Sequence, residues 1–351
     1  MKILGIETSC DDTGISIVEA RGRETPSFRI LANIVASQIK VHQKYGGVYP
    51  AMAKREHETN LPIAVAQALK KAKLNPLRPK LDALAITYGP GLSPCLWAGL
   101  NETQKLANQW NIPTIPVNHM EGHLLISLFF GMHKLKLSKV LPAVALLVSG
   151  GHTQLVLVTA LGKYKILGET RDDAAGECFD KAARILGLPY PGGPAISKIA
   201  KSCKTDMYDI RLPRPMLSTK DYDFSFSGLK TAVLYDWKSR PKKAQESPEY
   251  ISEMAKEIQG AIIEVLVSKA LRATHRYSAK AIILGGGVGA NTLLRDTLSL
   301  EAKKLGVRFL AAPKELCTDN GAMIAVAGYA AWLRSGLKKY SRIEANPNLR
   351  L

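Results

Sequence analysis

One local pattern occurs twice in this chain, and it constrains the fold more than any other feature. Lys2 to Glu7 is an apolar run, Thr8 to Gly14 a turn of small and polar residues, and Ile15 to Glu19 a second apolar run. Ala143 to Val148, Ser149 to Thr153 and Gln154 to Val158 repeat that order in the middle of the chain. Short apolar runs bounded by turn residues read as strands, so each copy is a strand, a small polar turn and a returning strand. A duplicated hairpin of this kind implies two related domains, and 351 residues with 46% hydrophobic content are enough for two cores.

Each copy is followed by helix-forming sequence and further short strands. Leu81 to Thr87 runs into Gly89-Pro90-Gly91, and Ala281 to Leu284 runs into Gly285-Gly286-Gly287. Strands alternating with helices define mixed α/β domains. The polar, proline-bounded stretch from Arg240 to Pro248 reads as a loop entering a helix that continues to about Thr274.

Composition narrows the setting. Met1 leads at once into the first strand, with no basic segment, apolar core and cleavage site of a secretion signal. The longest apolar run, Leu124 to Phe130, falls far short of the ~20 residues a membrane-spanning helix needs. Five cysteines without CxxC spacing fit a reducing compartment, and the expectation is a cytoplasmic protein that does not enter membranes. A formal charge of +18 favours an anionic partner, nucleic acid above all, although lysines that merely solvate the surface give the same sum.

Three turns of small residues follow strands: Ser9 to Gly14, Ser149 to Thr153, and Gly285 to Asn291. Such turns let backbone N–H groups approach phosphate oxygens. Any one of them is explained by the needs of a tight turn; three in one chain point to a nucleotide.

Residues 119 to 123 read HMEGH. In a zinc protease the glutamate directly follows the first histidine. Here His119 and His123 are four residues apart, which brings them within about 40° of each other on a helix, but Glu121 lies about 200° away on the opposite face. The pair suits one divalent metal, with Asp319 in Cys317-Thr318-Asp319-Asn320 as a distant carboxylate third ligand. The spacing alone equally fits two interior histidines held by hydrogen bonds.

Seven stretches in order, GIETSCDDTGISIVE, VNHMEGHLL, LLVSGGHTQLV, DDAAGECFDKAARILGLPYPGGP, FSFSGLKTAV, GGGVGANTLLR and CTDNGAMIA, resemble the universal tRNA threonylcarbamoyltransferase family in its bacterial branch, TsaD. The resemblance implies an actin/Hsp70/sugar-kinase-like α/β fold of two ribonuclease-H-like domains with a nucleotide cleft between them. On the sequence, the first would span residues 1–118 and be completed by a C-terminal helix at about 320–340; the second, 119–319, would carry the metal and nucleotide motifs. The implied reaction moves the threonylcarbamoyl group from threonylcarbamoyl-adenylate to N6 of adenosine 37 in tRNAs reading ANN codons, forming t6A.

The same resemblance implies an iron or zinc ion on His119, His123 and Asp319, and partners resembling TsaB and TsaE. It places Leu147, Val148, Ser149, Gly150 and Gly151 against the adenylate phosphate or threonylcarbamoyl group, Asp180 on ribose hydroxyls, Gly193 beside the nucleoside, and Asn291 on the sugar or base. Asp180 on a solvated helix face and Asn291 as a helix cap are the ordinary alternatives. No general base stands out; Asp11 and Asp12 are the candidates. The chain departs from the family at Asp12, usually Glu, and at Ala51, where Pro-Glu is common. Basic stretches for tRNA are Lys70-Lys71-Ala72-Lys73, Lys242-Lys243 and Lys338-Lys339. A metallopeptidase, or an ATP-dependent kinase or chaperone of the same superfamily, is the alternative function.

Overall fold

A computed structural model describes residues 1–132, 135–337 and 342–351. Ten strands fall into two five-stranded sheets. The first has the order β3(Ser27–Ser37), β2(Asp12–Arg21), β1(Lys2–Glu7), β4(Ala83–Gly89), β5(Thr114–Asn118). β1 is antiparallel to β2 and β2 to β3, whereas β4 runs parallel to β1 and β5 to β4. The second has the order β10(Arg308–Ala311), β9(Ala281–Gly285), β6(Ala143–Val148), β7(Thr153–Ala160), β8(Lys163–Glu169). Within it β6 is antiparallel to β7 and parallel to β9. Counted from its own first strand, each sheet has the order third, second, first, fourth, fifth. The two repeated hairpins are β1–β2 and β6–β7, and each sheet is built outward from one of them.

The chain divides into two compact units, Met1–Val140 with Ala160–Tyr164 and Ala311–Leu351, and Leu141–Thr159 with Lys165–Leu310. This corrects the boundary read from sequence at residue 118. The helix His119–Gly131 continues directly from β5 and packs against the C-terminal helix Gly321–Ser335, so the HMEGH motif and Asp319 belong to the first unit and not the second. The reason is burial: nearly every side chain of His119–Gly131 is covered, including the run Leu124 to Phe129, and a helix apolar all round must lie inside a core. Residues 338–341, including Lys338 and Lys339, lie outside the described residues. Among the described residues no helix is long and apolar enough to cross a membrane.

In the first unit β1, the central strand between antiparallel β2 and parallel β4, is buried on both faces from Ile3 to Glu7. The helices Pro50–Lys71 and Ser93–Trp110 pack on this sheet, and Gly321–Ser335 packs against β1 and β2. Close approach of that last helix depends on glycine. A Cβ at Gly5 would lie 2.0 Å from the Gly321 carbonyl oxygen and 2.6 Å from the Ala325 nitrogen, and one at Gly14 would lie 2.7 Å from the Gly321 nitrogen. Backbone meets backbone here, so there is no flexible side chain to yield. Gly5→Ala is therefore expected to destabilise the protein by about 1–3 kcal/mol, the usual cost of overpacking, and to weaken divalent-metal binding, because Asp319 immediately precedes the displaced helix. Urea unfolding midpoints and metal titration of the same variant check both effects.

Candidate active site

The helix His119–Gly131 starts where β5 ends. Asn118 caps it, its Oδ1 accepting from the N–H groups of Met120 at 2.8 Å and Glu121 at 3.2 Å. The cap puts His119 in the first turn and His123 one turn later, their rings 4.7 Å apart and nearly perpendicular. Asp319 reaches them from the other side of the chain: its Oδ1 lies 3.0 Å from His123 Nε2 and 3.6 Å from His119 Nε2. One ligand atom from each of the three residues falls within 4.8 Å of the others. Two imidazoles and one carboxylate leave coordination positions open, the donor set of catalytic zinc and of non-haem iron sites. The chemistry and spacing of these residues fit one divalent ion.

Asp319 is held by its neighbour. Asn320 is fully buried and caps Gly321–Ser335 by accepting from the Met323 N–H at 3.0 Å, while its amide donates to the carbonyls of Leu316 and Thr318. The residue before a helix is thus pinned on both sides, and Asp319 projects from that pinned corner.

A fourth residue supports the centre. Glu7, the last residue of β1, is fully buried, and its Oε2 lies 3.0 Å from His119 Nδ1. Thr87 donates to the same oxygen at 2.6 Å, the Ser9 N–H donates to Oε1 at 2.5 Å, and Ser9 Oγ is 3.1 Å from His119 Nδ1. An ionised carboxylate only accepts, so His119 Nδ1–H donates and its Nε2 lone pair is directed at the metal position. Burial opposes charge on Glu7, but the adjacent His119 outweighs it and holds the carboxyl below its usual range. Burial likewise opposes charge on His119, yet Glu7 and Asp319 push the imidazole up to about 9, so a metal ion must displace a proton there. Glu7 was not anticipated from sequence. An acid ending an otherwise apolar strand, buried among Ile3, Leu4 and Ile6, is the signal that marks it.

Glu121 faces elsewhere, as helical geometry requires. Its carboxylate accepts from Tyr164 Oη at 2.7 Å and from Arg334 at 2.7 Å and 3.4 Å. Those bonds commit it to structure, and it is not positioned to activate a water on the ion.

The Cys10–Thr13 turn lies close enough to feel Asp319. Buried His57 spans it, with Nε2 2.9 Å from the Cys10 carbonyl and Nδ1 2.8 Å from Thr13 Oγ1. Burial and the Asp319 charge raise the Asp11 carboxyl above its usual range. Burial, followed by the charges of Asp319, Asp11 and Glu7, raises Asp12 to about 7 despite a hydrogen bond to Ser37.

The second unit brings together the other residues singled out. Leu147 and Val148 close β6, and Leu147 is paired with Gly285 of β9, so the turns after these parallel strands start side by side. A Cβ at Gly286, where φ is +88°, would lie 2.4 Å from the Val148 carbonyl. The helix Ala175–Ile185 begins at the same turn: Gly176 N–H bonds the Ser149 carbonyl at 3.2 Å, and Thr153 Oγ1 accepts from Ala175 N–H at 2.9 Å. Gly150 and Gly151 are exposed, with nothing within 4 Å of a Cβ at either. Carboxyl ends of parallel strands beside helix amino termini are a common setting for phosphate groups.

Asp180 and Asn291 both serve helix starts. Asp180 Oδ1 accepts from the Gly192 N–H at 2.7 Å, at the head of the helix Gly192–Ala200. Asn291 caps Thr292–Lys304, accepting from Leu294 N–H at 3.1 Å and donating to Gln259 at 2.9 Å. The close approach lies at Gly192, where a Cβ would be 2.6 Å from Asp180 Cα; at Gly193 the nearest atom is 3.9 Å away.

Two five-stranded sheets of matching order define a two-domain α/β fold of the actin and Hsp70 type, with the His–His–Asp group in the first unit. Solved structures agree in fold: component A of (R)-2-hydroxyglutaryl-CoA dehydratase from Acidaminococcus fermentans superposes with a TM-score of 0.52 at 14% identity, over 94% of this chain and 99% of that one. The activator of 2-hydroxyisocaproyl-CoA dehydratase from Clostridium difficile gives 0.51 at 12% identity, over 97% and 100%. The chain belongs to the TsaD family, tRNA N6-adenosine threonylcarbamoyltransferase, whose sequence model matches residues 29–326. It is 45% identical to the tRNA N6-adenosine threonylcarbamoyltransferase of Aromatoleum aromaticum over 93% of this chain and 90% of that protein. To those of Thermosipho africanus and Desulfitobacterium hafniense it is 42% and 46% identical, over 100% of this chain and 100% and 98% of theirs.

Loss of an orienting carboxylate behind a metal-bound histidine typically costs 10- to 100-fold in metal affinity, and Glu7→Gln is expected to fall in about that range. Chelator competition measures it, and an unchanged affinity removes Glu7 from the centre. For Asp12 the sign follows from its raised carboxyl. The folded state keeps a proton that the unfolded chain releases near 3.8, so stability falls as pH rises from there through about 7. Asp12→Asn abolishes that loss. In metal-free protein its stabilising effect is expected to be largest above pH 7 and absent near pH 4, as followed by thermal melting across that range.

Proposed function

We propose that this chain transfers the threonylcarbamoyl group of threonylcarbamoyl-adenylate to N6 of adenosine 37 in tRNAs reading ANN codons, forming t6A. The observation that carries the proposal is the convergence of His119, His123 and Asp319, from two distant segments, in a member of the TsaD family. A divalent ion on these residues, iron or zinc, would polarise the threonylcarbamoyl oxygens and so favour charge developing on oxygen as the carbonyl carbon is attacked.

The chain's own residues then have separate tasks. Glu7 keeps His119 in the tautomer that presents Nε2. The second unit's turns, Leu147 to Gly151 and Gly285 to Asn291, would receive the adenylate phosphate and nucleoside, with Asp180 directed to the ribose, Gly193 beside the nucleoside and Asn291 at the sugar or base. The adenosine amine forms the new N–C bond, the bond from the carbonyl carbon to the phosphate oxygen breaks, and AMP departs with that electron pair. The amine proton needs an acceptor. Asp12, raised to about 7, suits that task near neutral pH, and Asp11 is the alternative.

For tRNA phosphates the exposed Lys70, Lys71 and Lys73, and Lys242 and Lys243, are the proposed contacts. We place the reaction in the cytoplasm with partners resembling TsaB and TsaE. A peptidase has no support at Glu121, whose carboxylate is held by Tyr164 and Arg334. A kinase or chaperone of this fold has no need of the histidine pair.

The test is nucleoside mass spectrometry of an ANN-reading tRNA incubated with the metal-loaded protein, threonylcarbamoyl-adenylate and bacterial partner proteins. Formation of t6A is expected, with His119→Ala, His123→Ala and Asp319→Ala each losing bound metal and most transfer. No t6A from the parent protein under these conditions overturns the proposal.

A further inference from the structure

Tyr45 and Tyr49 stand on the surface of the first unit, 58% and 52% exposed, with ring centroids 5.6 Å apart and planes within 23° of parallel. Core packing does not account for two large rings stacked on each other in solvent. We propose that this pair is a stacking platform for an unpaired base of the tRNA anticodon loop. The inference rests on the transferase reading above and adds to it a site for the RNA.

The platform is rigidly based. Tyr45 closes the short turn Gln43–Tyr45, which ends at Gly46 in the left-handed region with φ of 64°. The Tyr49 N–H donates to Nδ1 of buried His42 at 3.3 Å, and His42 Nε2–H then donates to Gln38 Oε1 at 2.9 Å. Gln38, also buried, donates its backbone N–H to the Asp11 carbonyl at 3.1 Å and its amide to the Ala53 carbonyl at 3.3 Å. A continuous chain of hydrogen bonds therefore runs from the Tyr49 backbone to the turn carrying Asp11 and Asp12. A base stacked on the tyrosines would be held in fixed relation to that turn.

The surroundings favour a nucleotide over an apolar protein surface. Lys40, Lys44 and Arg55, all within ten residues of the pair in sequence, are exposed. The helix Pro50–Lys71 begins directly after Tyr49, with no side chain capping its first N–H groups, so a phosphate adjoining the stacked base meets a helix amino terminus. The first turn of this helix carries no acidic residue to repel it. Unpaired bases stack on aromatic faces whatever their hydrogen-bonding edge, while cations take the backbone.

Binding of an anticodon stem–loop RNA carrying 2-aminopurine in its loop tests the platform, because stacking quenches that base. The parent protein is expected to bind and quench. Tyr45→Ala, Tyr49→Ala and Tyr45→Leu are expected to weaken RNA binding by roughly 5- to 100-fold and to relieve quenching, the range typical of one lost base stack. Tyr45→Phe and Tyr49→Phe should bind as the parent does, and metal content and threonylcarbamoyl-adenylate affinity should be unchanged in all five. Alanine variants that bind and quench like the parent overturn the platform, as do phenylalanine variants as weak as the alanine ones. Loss of affinity for a partner protein with RNA binding intact assigns the pair to a protein contact and equally overturns it. A parent protein that modifies tRNA while the variants bind RNA normally leaves the transferase standing without the platform; a parent that neither binds RNA nor forms t6A removes both.

Discussion

The backbone contact between Gly5, Gly14 and Gly321 sets the geometry on which the metal centre depends. Because none of the three carries a Cβ, the C-terminal helix starts directly against β1 and β2. That start is where Asn320 makes its buried cap and where Asp319 projects. β1 also ends in Glu7. One close contact thus fixes both the third ligand and the carboxylate that orients the first histidine, although these residues are more than three hundred positions apart in sequence. The precision comes from packing.

A second tie joins the first turn of the histidine helix to the last turn of the C-terminal helix. Glu121, buried on the helix that carries the histidines, is bonded to Arg334 near the end of the C-terminal helix and to Tyr164. A buried ion pair adds little net stability when desolvation is counted, but it fixes the register of what it joins, and removing one partner leaves the other uncompensated. The glutamate of HMEGH therefore acts on the centre only through the placement of its helix. Its position in the motif, one residue later than in zinc proteases, separates a packing role from a chemical one.

Much of this was legible in the sequence, and the gaps have physical causes. The repeated hairpin led to two sheets of the same strand order, and the four-residue spacing of His119 and His123 on one helix led to a common metal position. The boundary at 118 failed because HMEGH looks like the opening of a new domain, whereas the all-round burial of His119–Gly131 appears only once its neighbours are in place. Glu7 escaped because a single acid in a strand has no spacing pattern; its role depends on a histidine brought to it by the fold. Asp180 and Asn291 each hold the start of a helix, for Asn291 the capping role that was its ordinary alternative on the sequence. Those bonds orient the helix amino termini, a task compatible with facing a nucleotide.

Charge gives the last step. The chain as a whole carries +18, yet Glu7, Asp11, Asp12 and Asp319 are gathered in one small region of the first unit. Burial and mutual repulsion raise Asp11 and Asp12, and Glu7 stays ionised chiefly through the adjacent His119, with Thr87 donating to it as well. Such a group of carboxylates opposes the basic character of everything around it, and in a folded protein that arrangement is sustained by a cation. A divalent ion at His119, His123 and Asp319 would supply it, and would take over from the His119 proton the task of balancing Glu7. On the proposed function the basic surface and the acidic centre would divide the work: one would attract RNA phosphates over a long range, and the other would reserve a small negative site suited to a metal and not to a phosphate.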